Sequence, residues 1–485
     1  MLDPGIAACV RRANELWPAR ASRATLFGTE GLARVAKDTL VHALLEAAPG
    51  TTVEFERFLT AARNALLETA VSAHEPSAAD IAALPFYAAL TRQCFLNEYI
   101  FCCDDSEWAA ADGCRIRLLQ LLDADAPVPP LLVLAVGAYF PLHGLPRPRR
   151  LLAMEQPPAI HAVLRQQVRE PRQERALLRG LKRLTPISRG VSENVRSQYE
   201  HNPYPRWTSL PIHEQSMPFN SELRRILPLA GFSPLDDDSQ PEMLIAGCGT
   251  GRESILAACI YRGVRILAVD LSLASIGYAM RKTRELGLTN IEYAQADIVE
   301  LGDITRTFDI ISSVGVLHHL ADPFAGWQKL LSRLRPRGFM LLGFYSQLAR
   351  RHVVKAREFV AARGYTGTVE DIRRFRASVT AGDAPGELQW LSGVADFYST
   401  SECRDLVFHV QEHRLTLDQI AAFLSANGLR FLGFELDPRV LHAYRTRFSE
   451  DPAATNLRNW AHFEADHPDT FTAMYQFWVQ RSGSD

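Results

Sequence analysis

The sequence predicts an α/β protein: a parallel sheet with helices on both faces, an all-helical domain ahead of it, and a cap insertion. Three observations carry that expectation. From about residue 10 to residue 138, apolar residues recur at three- and four-residue spacing, the period of amphipathic helices. After Glu242 short apolar runs alternate with helical patterns, as strands joined by helical crossovers require. The first of those runs, starting at Met243, ends in a glycine-rich turn followed by another helix.

Taken in order, segments 55–73 and 80–101 show the helical period with few strand-like alternations. A 34-residue helix-pair repeat leaves no clear self-similarity, and a degenerate repeat module and a plain helical bundle account for the pattern equally well. The stretch PLHGLPRPRR at 141–150 breaks the period and reads as a linker. Residues 159–184 read as a basic helical connector carrying Arg165, Arg169, Arg172, Arg175, Arg179, Lys182 and Arg183.

Strands are then expected at 243–246, 265–269, 291–295, 308–314 and 338–345, with helices at 252–261, 273–286 and through 327–334. Two more strands are expected at 429–436 and 474–479. The stretch between Ser346 and Asn427 is too long for a simple crossover and is expected to cap the sheet. The expected division is a helical domain at 1–185, a connector and aromatic lid at 186–241, a sheet core at 242–345, a cap or substrate region at 346–427, and final strands at 428–485.

Composition narrows the function classes. In 485 residues, 47% hydrophobic and 22% charged is ordinary for a chain that buries cores. Lys+Arg 53 against Asp+Glu 55 leaves a formal net charge of -2, with no global pull toward nucleic acid or acidic lipid. The most apolar stretch, 131–140, is too short to span ~30 Å of hydrocarbon, and Met1-Leu2-Asp3-Pro4 lacks the regions of a secretory signal. A cytoplasmic protein without a membrane span is expected. The eight cysteines include no C-x-x-C pair to start a zinc site, so buried reduced thiols and no metal are expected.

The glycine turn is Gly247-Cys-Gly-Thr-Gly251, and Asp270 closes the next strand 19 residues later. That spacing suits a carboxylate accepting from ribose hydroxyls. Dinucleotide sites prefer G-x-G-x-x-G, which would need glycine where this chain has Arg252.

With Val269-Asp270, Gln295-Ala296-Asp297-Ile298, the block from Phe308 to Leu320 and Leu334-Arg-Pro-Arg-Gly-Phe339 in correct order, the chain from about Glu242 to Tyr345 resembles a class I S-adenosylmethionine-dependent methyltransferase, a Rossmann-like fold. The resemblance implies S-adenosyl-L-methionine as cofactor. It implies that Gly247, Gly249 and Gly251 line the methionine and ribose, that Asp270, followed by Leu271, holds the ribose diol, that Asp297 accepts from the adenine amino group, and that Ile298 packs on the ring. The competing reading of Asp297 is a strand-end turn or helix cap. One departure stands out: the family often carries an acidic residue two places before the first glycine, and here that place is Ile245.

The segment from Gln198 to Trp207 holds two prolines that fix an extended path, with two tyrosines and a tryptophan. It reads either as an aromatic staple or as a lid in which Tyr199 or Tyr204 borders the sulfonium and Arg206 meets a carboxylate. With Gln93–Tyr99 and Met474–Trp478 it resembles bacterial methyltransferases that carry an N-terminal tetratricopeptide-like region.

Methyl transfer from a sulfonium needs alignment in a dry pocket, and a base only where the acceptor must lose a proton. His318 and His319, just past the fourth strand of the core, are candidates for that base or for structural capping of the loop; His319 is preferred. Tyr345, Tyr398, Asp405, His409 and His413 are further candidates. Residues 349–376 carry eight Lys/Arg against three Asp/Glu, which suits a solvated helical face or an acceptor bearing negative charge.

The function expected is transfer of a methyl group to an oxygen or nitrogen, with a protein or peptide acceptor preferred and a small metabolite or natural-product precursor as the alternative. A nicotinamide-dependent oxidoreductase and a non-catalytic binding module with a vestigial fold are the competing classes.

Overall fold

The structure is a computed structural model and describes residues 3–483 except 51, 73–75, 202, 213–214, 237–239 and 473. Asn202, within the aromatic segment, lies outside the described residues. The chain forms two compact units. One comprises Met1–Gln173, Arg206–Ser209 and Ala356–Phe408; the other comprises Glu174–Pro205, Leu210–Lys355 and His409–Asp485.

The first unit is helical. Several of its helices begin where a short polar side chain accepts from the first orphan amides: Asp3 from Gly5 and Ile6, Thr52 from Phe55, Asp104 from Glu107. Their core packs Phe27, Phe58 and Phe86 with ring centres 6.3 to 6.5 Å apart. A buried ion pair joins Arg63 to Glu107 at 2.7 Å, and the Tyr139 hydroxyl donates to the same carboxylate at 2.6 Å. The helices range from five residues (Arg23–Phe27) to nineteen (Val53–Val71), so their lengths lend no support to a uniform helix-pair repeat.

Three stretches differ from the sequence expectation, the shortest being Arg206–Ser209, expected in the connector and lid, which belongs to the helical unit. Residues 356–408, expected to cap the sheet within 346–427, fold with the N-terminal helices. Arg376 reaches the Glu56 carboxylate at 2.5 Å and the Phe397 carbonyl at 2.6 Å, Arg57 reaches the Thr380 carbonyl, and the Thr400 amide donates to the Asn97 carbonyl. Residues 174–185, expected to end the helical domain and its basic connector, fold with the sheet, because Lys182 and Arg183 pair as a strand with Ala294 and Gln295.

The second unit is built on eight strands: β1 (Lys182–Arg183), β2 (Glu242–Ala246), β3 (Arg265–Asp270), β4 (Ile291–Gln295), β5 (Phe308–Val314), β6 (Leu334–Tyr345), β7 (Leu429–Phe434) and β8 (Met474–Arg481). Their spatial order is β1-β4-β3-β2-β5-β6-β8-β7. The first six run parallel, and β8 lies antiparallel between β6 and β7. Strand β2 is buried along its whole length, as a central strand covered on both faces must be. Met243 and Ile245 pack into one apolar layer with Ile266, Ile310 and Trp478; Leu244 and Ala246 pack into the other with Leu267, Ile311 and Trp327. The strand order reverses at β2, which has β3 on one side and β5 on the other. Ligands of such sheets bind beyond the carboxyl ends of the strands at that reversal. Among the described residues no helix is long and apolar enough to cross a membrane.

Candidate active site

The glycine turn sits at the reversal point. The amides of Gly247 and Cys248 both donate to the Val269 carbonyl, at 2.8 and 2.9 Å, which bends the chain sharply off the end of β2. Gly249 has φ +50°, and a Cβ there would stand 2.8 Å from the Tyr204 carbonyl oxygen. A Cβ on Gly247 would run into the Val316 side chain. Glycine is thus required at both positions, because the Tyr204 carbonyl and the Val316 side chain occupy the space a Cβ would take. Gly251, also at positive φ, precedes helix Arg252–Ile260, which packs close to Ala279 and Tyr293.

Asp270 ends β3 beside this turn. Its Oδ2 accepts the Gly249 amide at 2.8 Å and its Oδ1 accepts the Ser272 amide at 2.9 Å. Burial pushes this carboxyl above its ordinary range; the amides of Ser272, Gly249 and Leu271 oppose the shift, and the Glu200 carboxylate adds to it. Glu200 in turn accepts the amides of Leu273 and Ala274, at 2.7 and 3.1 Å, at the start of helix Leu273–Glu285, where negative charge is favoured. The Gln295 amide donates to the Leu271 carbonyl at 2.8 Å and ties β4 to this corner.

The aromatic segment lies over the turn. The Tyr199 carbonyl accepts from the Ser272 hydroxyl at 3.1 Å, the Thr250 hydroxyl donates to the Pro205 carbonyl, and the rings of Tyr199 and Tyr204 stand 6.4 Å apart. Arg206 belongs to the helical unit. It pairs with Glu98 at 3.2 Å, and its guanidinium stands 5.1 Å from the centre of the Phe95 ring. The carboxylate it meets is therefore one of the protein's own.

Asp297 is fully buried. Its oxygens accept the Ser188 amide at 3.0 Å and the Val299 amide at 3.2 Å, while its own amide donates to the Thr185 hydroxyl at 2.8 Å. It caps the short helix Ile298–Asp303 and anchors the connector. Ile298 packs in the apolar layer with Leu301 and Trp327.

Past β5, helix Leu317–His319 brings the two histidines together with Tyr345 and His409. The His318 ring stacks on Tyr345 with centres 3.7 Å apart at 24°, and His319 stacks on His409 at 3.6 Å and 19°. His319 Nδ1 lies 2.7 Å from the Gln411 carbonyl, so in the neutral ring Nδ1 carries the proton and Nε2 is basic. His409 Nδ1 accepts the Gln411 amide at 3.1 Å, which puts its proton on Nε2, 3.2 Å from the Tyr199 hydroxyl. His318 is fully buried. Burial holds it well below the ordinary histidine range, and His319, Arg350 and His409 push the same way.

The Arg350 guanidinium lies 3.7 Å from the Tyr345 ring centre and pairs with the buried Glu412 at 2.5 Å. His413 turns to the Ala321 carbonyl and the Gln411 amide. Tyr398 and Asp405 belong to the helical unit, where the Tyr398 hydroxyl donates to the Ser392 carbonyl.

The residues fit a nucleoside that offers a diol. The half-buried Asp270 carboxylate already accepts backbone amides, and ribose hydroxyls donating to its oxygens would further offset the burial that raises it. The site also holds groups that sequence reasoning passed over. Glu200 stands in the aromatic segment without a role there, and Val316 gives no local signal. Gln411, whose carbonyl sets the His319 tautomer, acts through its backbone and leaves no trace in residue type.

The family described as "Methyltransferase domain" matches residues 243–338. An uncharacterized protein of Synechococcus sp. is 30% identical over 207 residues, which span 40% of this chain and 48% of that protein. A ubiquinone biosynthesis O-methyltransferase of Parvibaculum lavamentivorans is 32% identical over 106 residues, spanning 22% of this chain and 41% of that enzyme. The chain thus spans less than half the length of these two relatives. The solved structure of PKMT2 from Rickettsia typhi aligns with a TM-score of 0.43 at 17% identity, covering 57% of this chain and 54% of that one. With the strand order, the glycine turn and the carboxylate beside it, residues 243–338 are a methyltransferase domain of the class I, S-adenosylmethionine-dependent family.

Proposed function

We propose that this chain transfers the methyl group of S-adenosyl-L-methionine to an oxygen or nitrogen of an acceptor. The observation that carries the reading is the Asp270 carboxylate, locked to Gly249 on one oxygen and to Ser272 on the other, beside a glycine-rich turn. When bound, the cofactor supplies an electrophilic methyl on a sulfonium. The chain's own task is to bind, align and keep water out.

In this reading Asp270 holds the ribose diol, with Leu271 beside it. Gly247, Gly249 and Gly251 give the backbone close approach to the ligand, and Asp297 and Ile298 form the adenine end. Tyr199 and Tyr204 close the rim, where aromatic faces attract a cation. His319 takes the acceptor's proton on Nε2 where the acceptor must lose one; His318 supports Tyr345 by stacking. Arg206 keeps its Glu98 partner and acts outside the cofactor site.

The named relatives include O-methyltransferases of ubiquinone biosynthesis and of malonyl-[acyl-carrier protein], which favours oxygen as the attacked atom. A protein or peptide acceptor remains the first expectation, with a small metabolite next. The test is incubation of the full chain with methyl-labelled cofactor and separate protein and small-molecule fractions. A labelled product of one fraction, absent with Asp270→Ala, supports the proposal and identifies the acceptor class. Label transfer that persists unchanged in Asp270→Ala overturns it.

A further inference from the structure

The methyltransferase domain has Ile245 at the place, two residues before the first glycine, where an acidic residue often stands. Ile245 is fully buried in the apolar layer with Met243, Ile266 and Trp478, so no charge reaches the site from this position. Its register partner on β5 is Ser312. Side chains at the same level of two paired strands point to the same face of the sheet. The Ser312 side chain therefore stands beside that of Ile245, and its hydroxyl donates to the Glu253 carboxylate.

Glu253 lies on the first turn of helix Arg252–Ile260, two residues past the last glycine of the turn. A carboxylate from the other end of the glycine loop thus reaches the level where β2 carries an isoleucine. Among the described residues no cation pairs with it, and its hydrogen-bond partner is the Ser312 hydroxyl. A carboxylate held in so apolar a layer is costly to keep charged without a positive partner.

We infer that Glu253 replaces the carboxylate missing at Ile245 and receives the ammonium of the amino-acid end of the bound nucleoside. This rests on the proposed S-adenosylmethionine site and adds to it the residue that reads the methionine end. Burial and the nearby Glu435 carboxylate raise Glu253 to about 7, while the Ser312 hydroxyl opposes the shift. Cys248 and Tyr261, which feel its charge, face it as well. An ammonium arriving at this carboxyl favours the charged form, so binding expels a proton wherever Glu253 is protonated beforehand.

The experiment compares two probes on the full chain by titration calorimetry. S-adenosylhomocysteine carries the amino-acid end; 5′-methylthioadenosine keeps the nucleoside and lacks that end. Glu253→Gln is expected to weaken S-adenosylhomocysteine roughly 10- to 100-fold, the range of a charge-assisted hydrogen bond, and to leave 5′-methylthioadenosine within about twofold. In the parent, affinity for S-adenosylhomocysteine rises between pH 6 and pH 8 relative to 5′-methylthioadenosine, and Glu253→Gln removes that rise.

Unchanged S-adenosylhomocysteine affinity in the variant overturns the inference while leaving the cofactor site standing. Equal weakening of both probes also overturns it, since the residue then shapes the loop instead of reading the ammonium. A parent that binds neither probe removes the cofactor reading itself, and this inference with it.

Discussion

His318 lies face to face on Tyr345, with ring centres 3.7 Å apart, while the Arg350 guanidinium lies at the same distance from that phenol ring. Two groups this close to one ring centre take its two faces, so Tyr345 is held between a buried imidazole and a guanidinium that is itself paired with Glu412. The stack fixes the end of β6, next to which His319 stands.

The same burial makes His318 a source of acid sensitivity. Unfolded, it titrates near pH ~6.5; folded, it stays neutral to well below that. Its contribution to stability is therefore complete above that pH and is lost as the pH falls, because the unfolded chain then binds a proton that the folded one refuses. The slope is about 1.4 kcal/mol per pH unit. His318→Phe keeps a ring on Tyr345 and removes the proton site. Urea unfolding at pH 7.5 and 5.5 should show the variant losing about 1 kcal/mol less than the parent across that interval. Parallel losses would mean that His318 protonates freely in the folded protein.

Asp270→Asn separates charge from shape at the cofactor site. The amide can still accept one backbone N–H, so the turn keeps part of its anchor, while the charge that the ribose hydroxyls would meet is gone. Affinity for S-adenosylhomocysteine should fall about 10- to 100-fold, the range for hydrogen bonds to a charged group. Calorimetric titration reads it directly, and affinity equal to the parent's would remove Asp270 from the site.

How far the sequence reached is visible in particular residues. Strands β2 to β8 were legible because each is an apolar run bounded by turn residues. The Gly247–Gly251 turn and Asp270 were legible because their chemistry depends on residue type at short spacing. Strand β1 is not: Lys182 and Arg183 are exposed, and what places them is backbone pairing with β4 and one ion pair from Lys182 to Glu292 at 2.7 Å, so the local pattern reads as a basic helix. Residues 356–408 were misplaced because what assigns them is Arg376 meeting Glu56, a pairing over 320 positions that no local period encodes. The choice for Arg206 fell the same way, since its partner is Glu98, over a hundred residues back. Asp297 caps the helix after β4, with Val299 and Ser188 amides on its oxygens, a role that a carboxylate can hold alongside an adenine amino group.

Gly249→Ala tests the turn. At φ +50° an alanine carries the left-handed penalty of about 1–2 kcal/mol, and its Cβ would meet the Tyr204 carbonyl, a backbone atom that cannot swing aside. Gly190 at φ +88° has open space around its Cβ position and isolates the backbone term. The expectation is that Gly249→Ala loses more unfolding free energy than Gly190→Ala, by about 1 kcal/mol or more, and also loses S-adenosylhomocysteine affinity. Equal effects in the two variants would mean that the aromatic segment does not press on the turn.

His319→Asn asks whether a proton moves. Asparagine can place its side-chain N–H toward the Gln411 carbonyl as Nδ1 does now, so the loop keeps its tie, but nothing basic remains where Nε2 was. If His319 takes the acceptor's proton, the rate of methyl transfer should fall about 10²- to 10⁴-fold while S-adenosylhomocysteine affinity stays within about twofold of the parent. Single-turnover transfer with labelled cofactor measures the first and calorimetry the second. Tyr345→Phe keeps the ring between His318 and Arg350 and removes only the hydroxyl; a loss confined to His319→Asn identifies the imidazole as the base, and an equal loss in both identifies the Tyr345 hydroxyl as a second group needed for transfer. An unaltered rate in both variants would leave alignment alone as the source of catalysis and return His319 to a structural role on His409.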